Sequence, residues 1–104
     1  MSPGLQTAQL VHSAIEFSLK HPQETLNWHN LSNYIVCLSV ADEKSLHMLK
    51  EKAEQREIFC VPFFEPDLNN QLTALTLEPC EASKKLCSNI PLALKEFTNK
   101  LQET

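Results

Sequence analysis

A chain of 104 residues with 42% hydrophobic and 21% charged residues has the size and composition of one globular domain. Its formal net charge of −4 argues against a dedicated nucleic-acid binder, which needs a surplus of Lys and Arg to face phosphates. The single glycine argues against a Gly-rich loop that wraps a phosphate group.

The cysteines and the N-terminus suggest an intracellular setting. Cys37, Cys60, Cys80 and Cys87 contain no C-x-x-C pair, so their spacing does not favour zinc. No signal peptide is visible, and no run is long enough to cross a membrane. We therefore expect a reduced, soluble, cytoplasmic protein with no metal or cofactor, and with neither a membrane nor DNA as a partner.

The first predicted element is an amphipathic helix over residues 4–20. Its apolar residues recur at helical spacing, which predicts that they face the core. These residues are Ala8, Val11, Ile15 and Leu19, with Ala14 and Phe17 widening the stripe. Pro22 ends the helix, because the residue before a proline avoids the helical region. A short helix or turn over residues 23–30 follows.

The rest of the chain alternates between strand-like and helical patterns. Residues 33–40 (NYIVCLSV) are β-branched and apolar, as expected of a strand covered on both faces. Asp42 can cap a helix over residues 42–56. Further strands are predicted over residues 58–64 and 72–77, and further helices over residues 81–88 and from Pro91 onward.

These elements predict an α/β fold. The strand-helix-strand unit over residues 33–64 should be a right-handed parallel crossover, because such connections almost always take that hand. The third strand follows a short polar link and should pair antiparallel with the second. The expected result is a small mixed sheet of three strands with helices on both faces.

A pair of polar side chains lies near the start of the first helix. Gln9 and His12 are three residues apart, so they point to the same side of the helix, next to the turn at Pro3 and Gly4. Polar groups gathered where a loop enters a helix can hold an anionic or carbonyl substrate.

The segment Gly4-Leu5-Gln6-Thr7-Ala8-Gln9-Leu10-Val11-His12 resembles the G-K-x-A-A-Q-x-x-H signature of the type II peptidyl-tRNA hydrolases. The match holds at Gly4, Ala8, Gln9 and His12. It departs at Leu5, where the family has a lysine thought to matter for activity.

The resemblance extends over most of the chain. EPDLNNQLTAL, residues 65–75, occupies the place of the family's strand-loop-strand motif, which begins with a functional aspartate. Asp67 is the match for that aspartate, and Thr73 is a looser match for a threonine further along. The segment NIPLAL, residues 89–94, is similar to the entry of the family's C-terminal segment.

The family fold is an α/β sandwich with a four-stranded mixed sheet, whose first strand precedes the opening signature. No counterpart of that strand is visible here, so the resemblance implies a single family domain over residues 1–104 that is truncated at its N-terminus. We expect either that residues precede Met1 in the natural protein or that the sheet is completed by a second copy in a homodimer.

The resemblance implies an enzyme that hydrolyses the ester bond of peptidyl-tRNA, which binds transiently. The reaction needs an activated water, a group that accepts its proton and donors for the oxyanion. The implied catalytic residues are Asp67 as base, His12 as proton shuttle and Thr73, while Gln9 and Gly4 would bind the substrate.

Each of these residues also has a purely structural interpretation. Asp67 follows a proline and suits a turn, and His12 could be an ordinary surface histidine. Gln9 could satisfy a nearby backbone group, and Thr73 could lie on the exposed face of a strand.

Two other functional classes remain open. Leu5 favours a non-catalytic module that binds an RNA end or a protein and keeps the fold. An exposed sheet edge would favour a structural domain whose partner supplies a strand.

Overall fold

The computed structural model describes residues 2–93, which form four helices and a two-stranded antiparallel sheet. In chain order these are α1 (Pro3–Lys20), α2 (Pro22–Leu31), α3 (Glu43–Gln55), β1 (Cys60–Glu65), β2 (Gln71–Leu77) and α4 (Glu81–Leu86), with a 3₁₀ turn, Pro66–Leu68, between the strands. The helix predicted from Pro91 onward lies largely outside the described residues. No helix in the described part combines the length and apolar character that a membrane crossing requires.

Local chemistry explains where the helices begin. The hydroxyl of Ser2 accepts a hydrogen bond from the Leu5 N–H at 3.2 Å, and Pro3 occupies the first helical position of α1. The predicted cap at Asp42 is confirmed: its carboxylate accepts from the Ser45 N–H at 2.8 Å. That backbone hydrogen bond holds the pKa of the Asp42 carboxyl below its usual value, because it favours the charged form.

The sheet is a hairpin rather than the predicted mixed sheet. β1 and β2 pair antiparallel, from Cys60 opposite Leu77 to Glu65 opposite Gln71, which confirms the predicted antiparallel pairing of these two strands. Pro62 fits inside β1 because a strand of a two-stranded ribbon has a free edge, where a missing N–H costs nothing.

The third strand predicted over residues 33–40 is wrong, and so is the parallel crossover built on it. The segment is extended, but it makes only an isolated bridge between Leu38 and Leu92. Tyr34 is 82% exposed, and the two residues after it are also exposed. A sequence with high β-propensity forms a ladder only where a neighbouring strand can pair with it and one of its faces can pack. Around Tyr34 the segment has no neighbouring strand and no packed face.

Three hydrogen bonds hold the ends of this extended segment. The indole N–H of Trp28 donates to the backbone oxygen of Tyr34 at 2.7 Å. At the other end the Ser39 N–H donates to the Pro91 oxygen, and the Ala93 N–H donates to the Cys37 oxygen. The segment is therefore tied to α2 and to the chain after α4 instead of to the sheet.

The core lies between the hairpin and two helices. α1 and α3 each pack against both strands and not extensively against each other, so they occupy opposite faces of the hairpin. The buried apolar side chains come from both helices, both strands and the α3–β1 link: Phe17, Ala53, Ile58, Val61, Leu72 and Ala74.

Helix α1 is present, but its predicted orientation is wrong for the apolar stripe except at Phe17, which is buried as predicted. Its buried residues are Gln9, Ser13 and Phe17, whereas the apolar stripe of Val11, Ile15 and Leu19 faces solvent. Ser13 is fully buried while Ile15 is 53% exposed. Two residues correspond to roughly 200° of helix rotation, so these positions lie on nearly opposite sides. The polar side of α1 packs against the sheet because polar groups of the sheet face that helix.

Candidate active site at the β1–β2 turn

A pair of hydroxyls, of which that of Ser13 is buried, joins the middle of α1 to both strands. The Ser13 hydroxyl donates to the Val61 backbone oxygen at 2.9 Å and accepts from the Thr76 hydroxyl at 2.8 Å. Every buried side-chain nitrogen and oxygen in residues 2–93 likewise has a hydrogen-bond partner. Burying polar groups under α1 is therefore compatible with a stable fold, because each is satisfied.

A bulge in β2 brings a second threonine to the same helix. Thr73 and Thr76 are three residues apart, which would place them on opposite faces of a regular strand. The pairing shifts between Phe63, opposite Ala74, and Phe64, opposite Leu72, so Thr73 has no residue opposite it. The bulge turns Thr73 toward α1, where the structure joins it to Gln9. Thr73 is thus not simply part of an exposed strand face.

Gln9 lies at the centre of a chain of side-chain hydrogen bonds. The Thr73 hydroxyl donates to Gln9 Oε1 at 2.6 Å, and Gln9 Nε2 donates to Glu65 Oε2 at 3.1 Å. Gln9 is 3% exposed. A carboxylate only accepts hydrogen bonds, so the amide nitrogen must face Glu65, and this orients the whole group.

The same glutamate organises the turn that carries Asp67. Glu65 Oε1 accepts from the Asp67 N–H at 3.2 Å, which caps the 3₁₀ turn that Pro66 begins. The turn then reverses through Asn69 and Asn70, both left-handed with φ of 54° and 58°, a conformation that asparagine tolerates. Asp67 itself is exposed at the edge of this arrangement.

His12, on α1, packs its ring against β1. Its ring stacks on that of Phe63 with the ring centroids 4.9 Å apart and the planes 10° from parallel. The residue is exposed, so one side of the imidazole is available to a ligand while Phe63 limits its rotation. Phe63 also supplies a backbone oxygen 3.4 Å from the Thr73 hydroxyl.

Gly4 and Leu5 lie in the first turn of α1. A methyl group added at Gly4 would meet no atom within 4 Å, so packing does not require a glycine there. Leu5, at the position of the family's lysine, is 40% exposed. The surface at this end of α1 is open.

Sequence reasoning assigned no role to Glu65 or Ser13. Pro66 could have indicated Glu65, because a proline at the first position of a helical turn makes the preceding residue its cap. Nothing in the pattern around Ser13 marks it as buried, since a serine between apolar residues is typical of an exposed helix side.

The four cysteines lie in the described residues as free thiols. Burial raises the pKa of the Cys60 and Cys87 thiols, which lowers their thiolate fraction at neutral pH. Cys37 is exposed, not packed in a strand as its sequence context suggested. Residues 2–93 hold no group of three or more His, Cys, Asp or Glu side chains that could bind a metal ion.

The molecule is a small α/β domain in which carboxylate, amide, hydroxyl and imidazole groups gather where α1 meets a strand turn. A family model described as peptidyl-tRNA hydrolase PTH2 matches residues 1–97. The chain belongs to this family, and the resemblance inferred from its sequence motifs is confirmed. No curated protein matches the chain closely enough to count as a relative.

Proposed function

We propose that the chain hydrolyses the ester bond of peptidyl-tRNA and releases peptide and tRNA. The observation that carries this proposal is the family match over residues 1–97, which spans both the α1 segment and the β1–β2 turn. The link from Gln9 through Glu65 to the Asp67 backbone supports it, because it connects the two motifs in space.

In this proposal Asp67 is the general base. Its carboxylate accepts a proton from a water molecule as the water attacks the ester carbonyl. His12 gives a proton to the leaving 3′ oxygen of the ribose, and the proton taken up by Asp67 replaces it, because an imidazole can both accept and donate a proton. Stacking on Phe63 supports this role because it restricts the directions in which the ring can point.

Thr73 and Gly4 complete the proposed substrate contacts. The single hydroxyl proton of Thr73 is directed at Gln9, so its oxygen remains able to accept from a ribose hydroxyl. The open space around Gly4 leaves room for the substrate beside the first turn of α1. Gln9, which is buried and bonded at both ends of its amide, contributes by shaping this surface.

Leu5 favours a second candidate function. Without a cation at this position the site lacks a point charge for a phosphate or a developing oxyanion. A module that binds an RNA end or a protein without cleaving an ester needs no such charge. The family membership fits this alternative equally well.

Peptide release from an N-acetylated aminoacyl-tRNA distinguishes the two candidates. We expect slow hydrolysis by the purified chain and a loss of about 10²-fold or more in kcat for Asp67→Asn, because it removes the base. Leu5→Lys should raise kcat by about tenfold or more through the added charge. Asp42→Asn is the matched control, because asparagine still caps α3 and the site is elsewhere.

Two outcomes would contradict hydrolysis. If neither the parent chain nor Leu5→Lys releases peptide, the non-catalytic function replaces it. If Asp67→Asn is as active as Asp42→Asn, Asp67 is not the base.

A further inference from the structure

Glu65 contacts both the α1 motif and the turn of the proposed site. One oxygen accepts from the Gln9 amide on α1, and the other accepts from the Asp67 N–H in the turn. Side chains at a helix and at a turn move independently unless something joins them. Here a single carboxylate sets the position of one relative to the other.

The bonding around Glu65 has a fixed direction. Thr73 donates to Gln9, Gln9 donates to Glu65, and the Asp67 N–H also donates to Glu65. The direction depends on a group at position 65 that accepts on both oxygens. A glutamine there could keep both bonds only if the Gln9 amide turned over and Thr73 donated to the Phe63 oxygen instead, so alanine is the substitution that removes both bonds.

We infer that Glu65 is a positioning residue of this site, which holds Asp67 and Gln9 in place through its two hydrogen bonds. The inference rests on the proposed hydrolysis for its activity test but not for its structural test. Glu65 acts through Asp67: removing the Glu65 carboxylate displaces the base, Asp67, but leaves its carboxylate in the chain. Small displacements of a reacting group reduce kcat strongly, whereas the binding of distant parts of a substrate changes little.

A swap of the two side chains separates hydrogen bonding from the location of the charge. In the double variant Gln9→Glu with Glu65→Gln, the new carboxylate at position 9 accepts from Thr73 and from the amide nitrogen at position 65. The amide oxygen at position 65 then accepts from the Asp67 N–H. All three bonds are rebuilt, while the negative charge moves from the strand to the helix.

The activity test compares the single variants with the swap at a temperature where circular dichroism shows all of them folded. Glu65→Ala and Gln9→Glu should each lower kcat by about tenfold or more with little change in KM, because they displace the base. The swap should recover kcat to within about threefold of the parent, since the bonds return. Glu51→Gln, which removes a charge from the exposed side of α3, should behave like the parent.

Two results would overturn the inference. A folded Glu65→Ala with the parent's kcat means that Asp67 needs no such support. A swap that recovers thermal stability without recovering kcat means that the charge at position 65, and not the geometry it imposes, is what matters.

An NMR measurement keeps the inference testable if the parent chain proves inactive, which would refute only the proposed function. The amide proton of Asp67 should be protected from exchange in the parent and in the swap, and should lose that protection in Glu65→Ala. Equal protection in Glu65→Ala and the parent would refute the positioning role without any reference to hydrolysis.

Discussion

Ser13 shows how much one small polar side chain contributes when it is fully buried. Its hydroxyl is both a donor to Val61 of β1 and an acceptor for Thr76 of β2. Because the residue has no exposed surface, water cannot replace either bond if the hydroxyl is removed. Removing one partner of a buried hydrogen bond costs more than forming the bond contributes, since the remaining group stays desolvated.

We expect Ser13→Ala to lower the free energy of unfolding by about 1–3 kcal/mol. The Thr76 hydroxyl loses its acceptor, and the Val61 backbone oxygen loses the hydroxyl that donates to it. Thr76→Val removes the other hydroxyl without changing its shape much. Guanidinium titrations of the two single variants and the double variant should show a loss smaller than the sum, since both act on one bond. Strictly additive losses would mean that the two hydroxyls do not interact.

At the scale of one helix, α1 turns its polar side to the sheet. On the hairpin, the hydroxyl of Thr73 and the carboxylate of Glu65 bond to Gln9 of α1. The hydroxyl of Thr76 bonds to Ser13 of α1. Phe17 is the one large apolar side chain of α1 that is buried. The helix is therefore held by hydrogen bonds over its first three turns and by apolar packing nearer its C-terminus.

This orientation predicts opposite results for two neighbouring truncations. Phe17→Ala should cost about 3–5 kcal/mol of unfolding free energy, because it empties a buried site. Ile15→Ala should change it by no more than about 0.5 kcal/mol, as is usual for a surface substitution. Thermal melts of the two variants, with equal helicity checked beforehand, decide the matter. A larger loss for Ile15→Ala would mean that the predicted apolar stripe is the buried side after all.

The sequence predicts where helices and strands occur better than it predicts which side of each one packs against the rest of the fold. Hydrophobic period identifies a helix at residues 4–20, but it cannot tell which side is buried when the partner surface is polar. That surface depends on Thr73, whose direction is set by a bulge that no local pattern indicates. Helical spacing and resemblance predicted Gln9 and His12, and resemblance alone predicted Asp67. Glu65 needed coordinates, because its bond to Gln9 joins residues far apart in the chain.

The third predicted strand failed for a related reason. Residues 33–40 have the composition of a buried strand. Composition does not show whether a neighbouring strand is present to pair with the segment. Tyr34 and the residues after it have no neighbour in a sheet and are left in solvent. The cap at Asp42 was easier to predict, because a cap depends on residues only three positions away.

For the whole molecule, the buried apolar set is small for the number of elements it holds together. Leu72 is among its most buried members at 1% exposure, and its N–H also donates to Glu43 of α3 at 3.0 Å. Many other large apolar side chains in the described residues are exposed. Stability therefore depends heavily on a few positions in the hairpin.

Leu72→Ala should lower the free energy of unfolding by about 2–5 kcal/mol. In a domain of this size that corresponds to a drop of roughly 10–30 °C in Tm. Leu68→Ala, in the exposed 3₁₀ turn, is the matched control and should lower Tm by only a few degrees. Differential scanning calorimetry compares the two, and equal shifts would contradict a core centred on the hairpin.

The hydrogen bond from the Trp28 indole to Tyr34 gives the molecule an internal optical reporter. Trp28 is the chain's one tryptophan. Its hydrogen bond joins α2 to the extended segment over residues 33–40, which does not pair with the sheet. Neither β1 nor β2 contains this fluorophore, so its emission follows the attachment of that segment and not the hairpin. A change in emission without loss of the sheet's circular dichroism would therefore mark detachment of the segment as an event distinct from global unfolding.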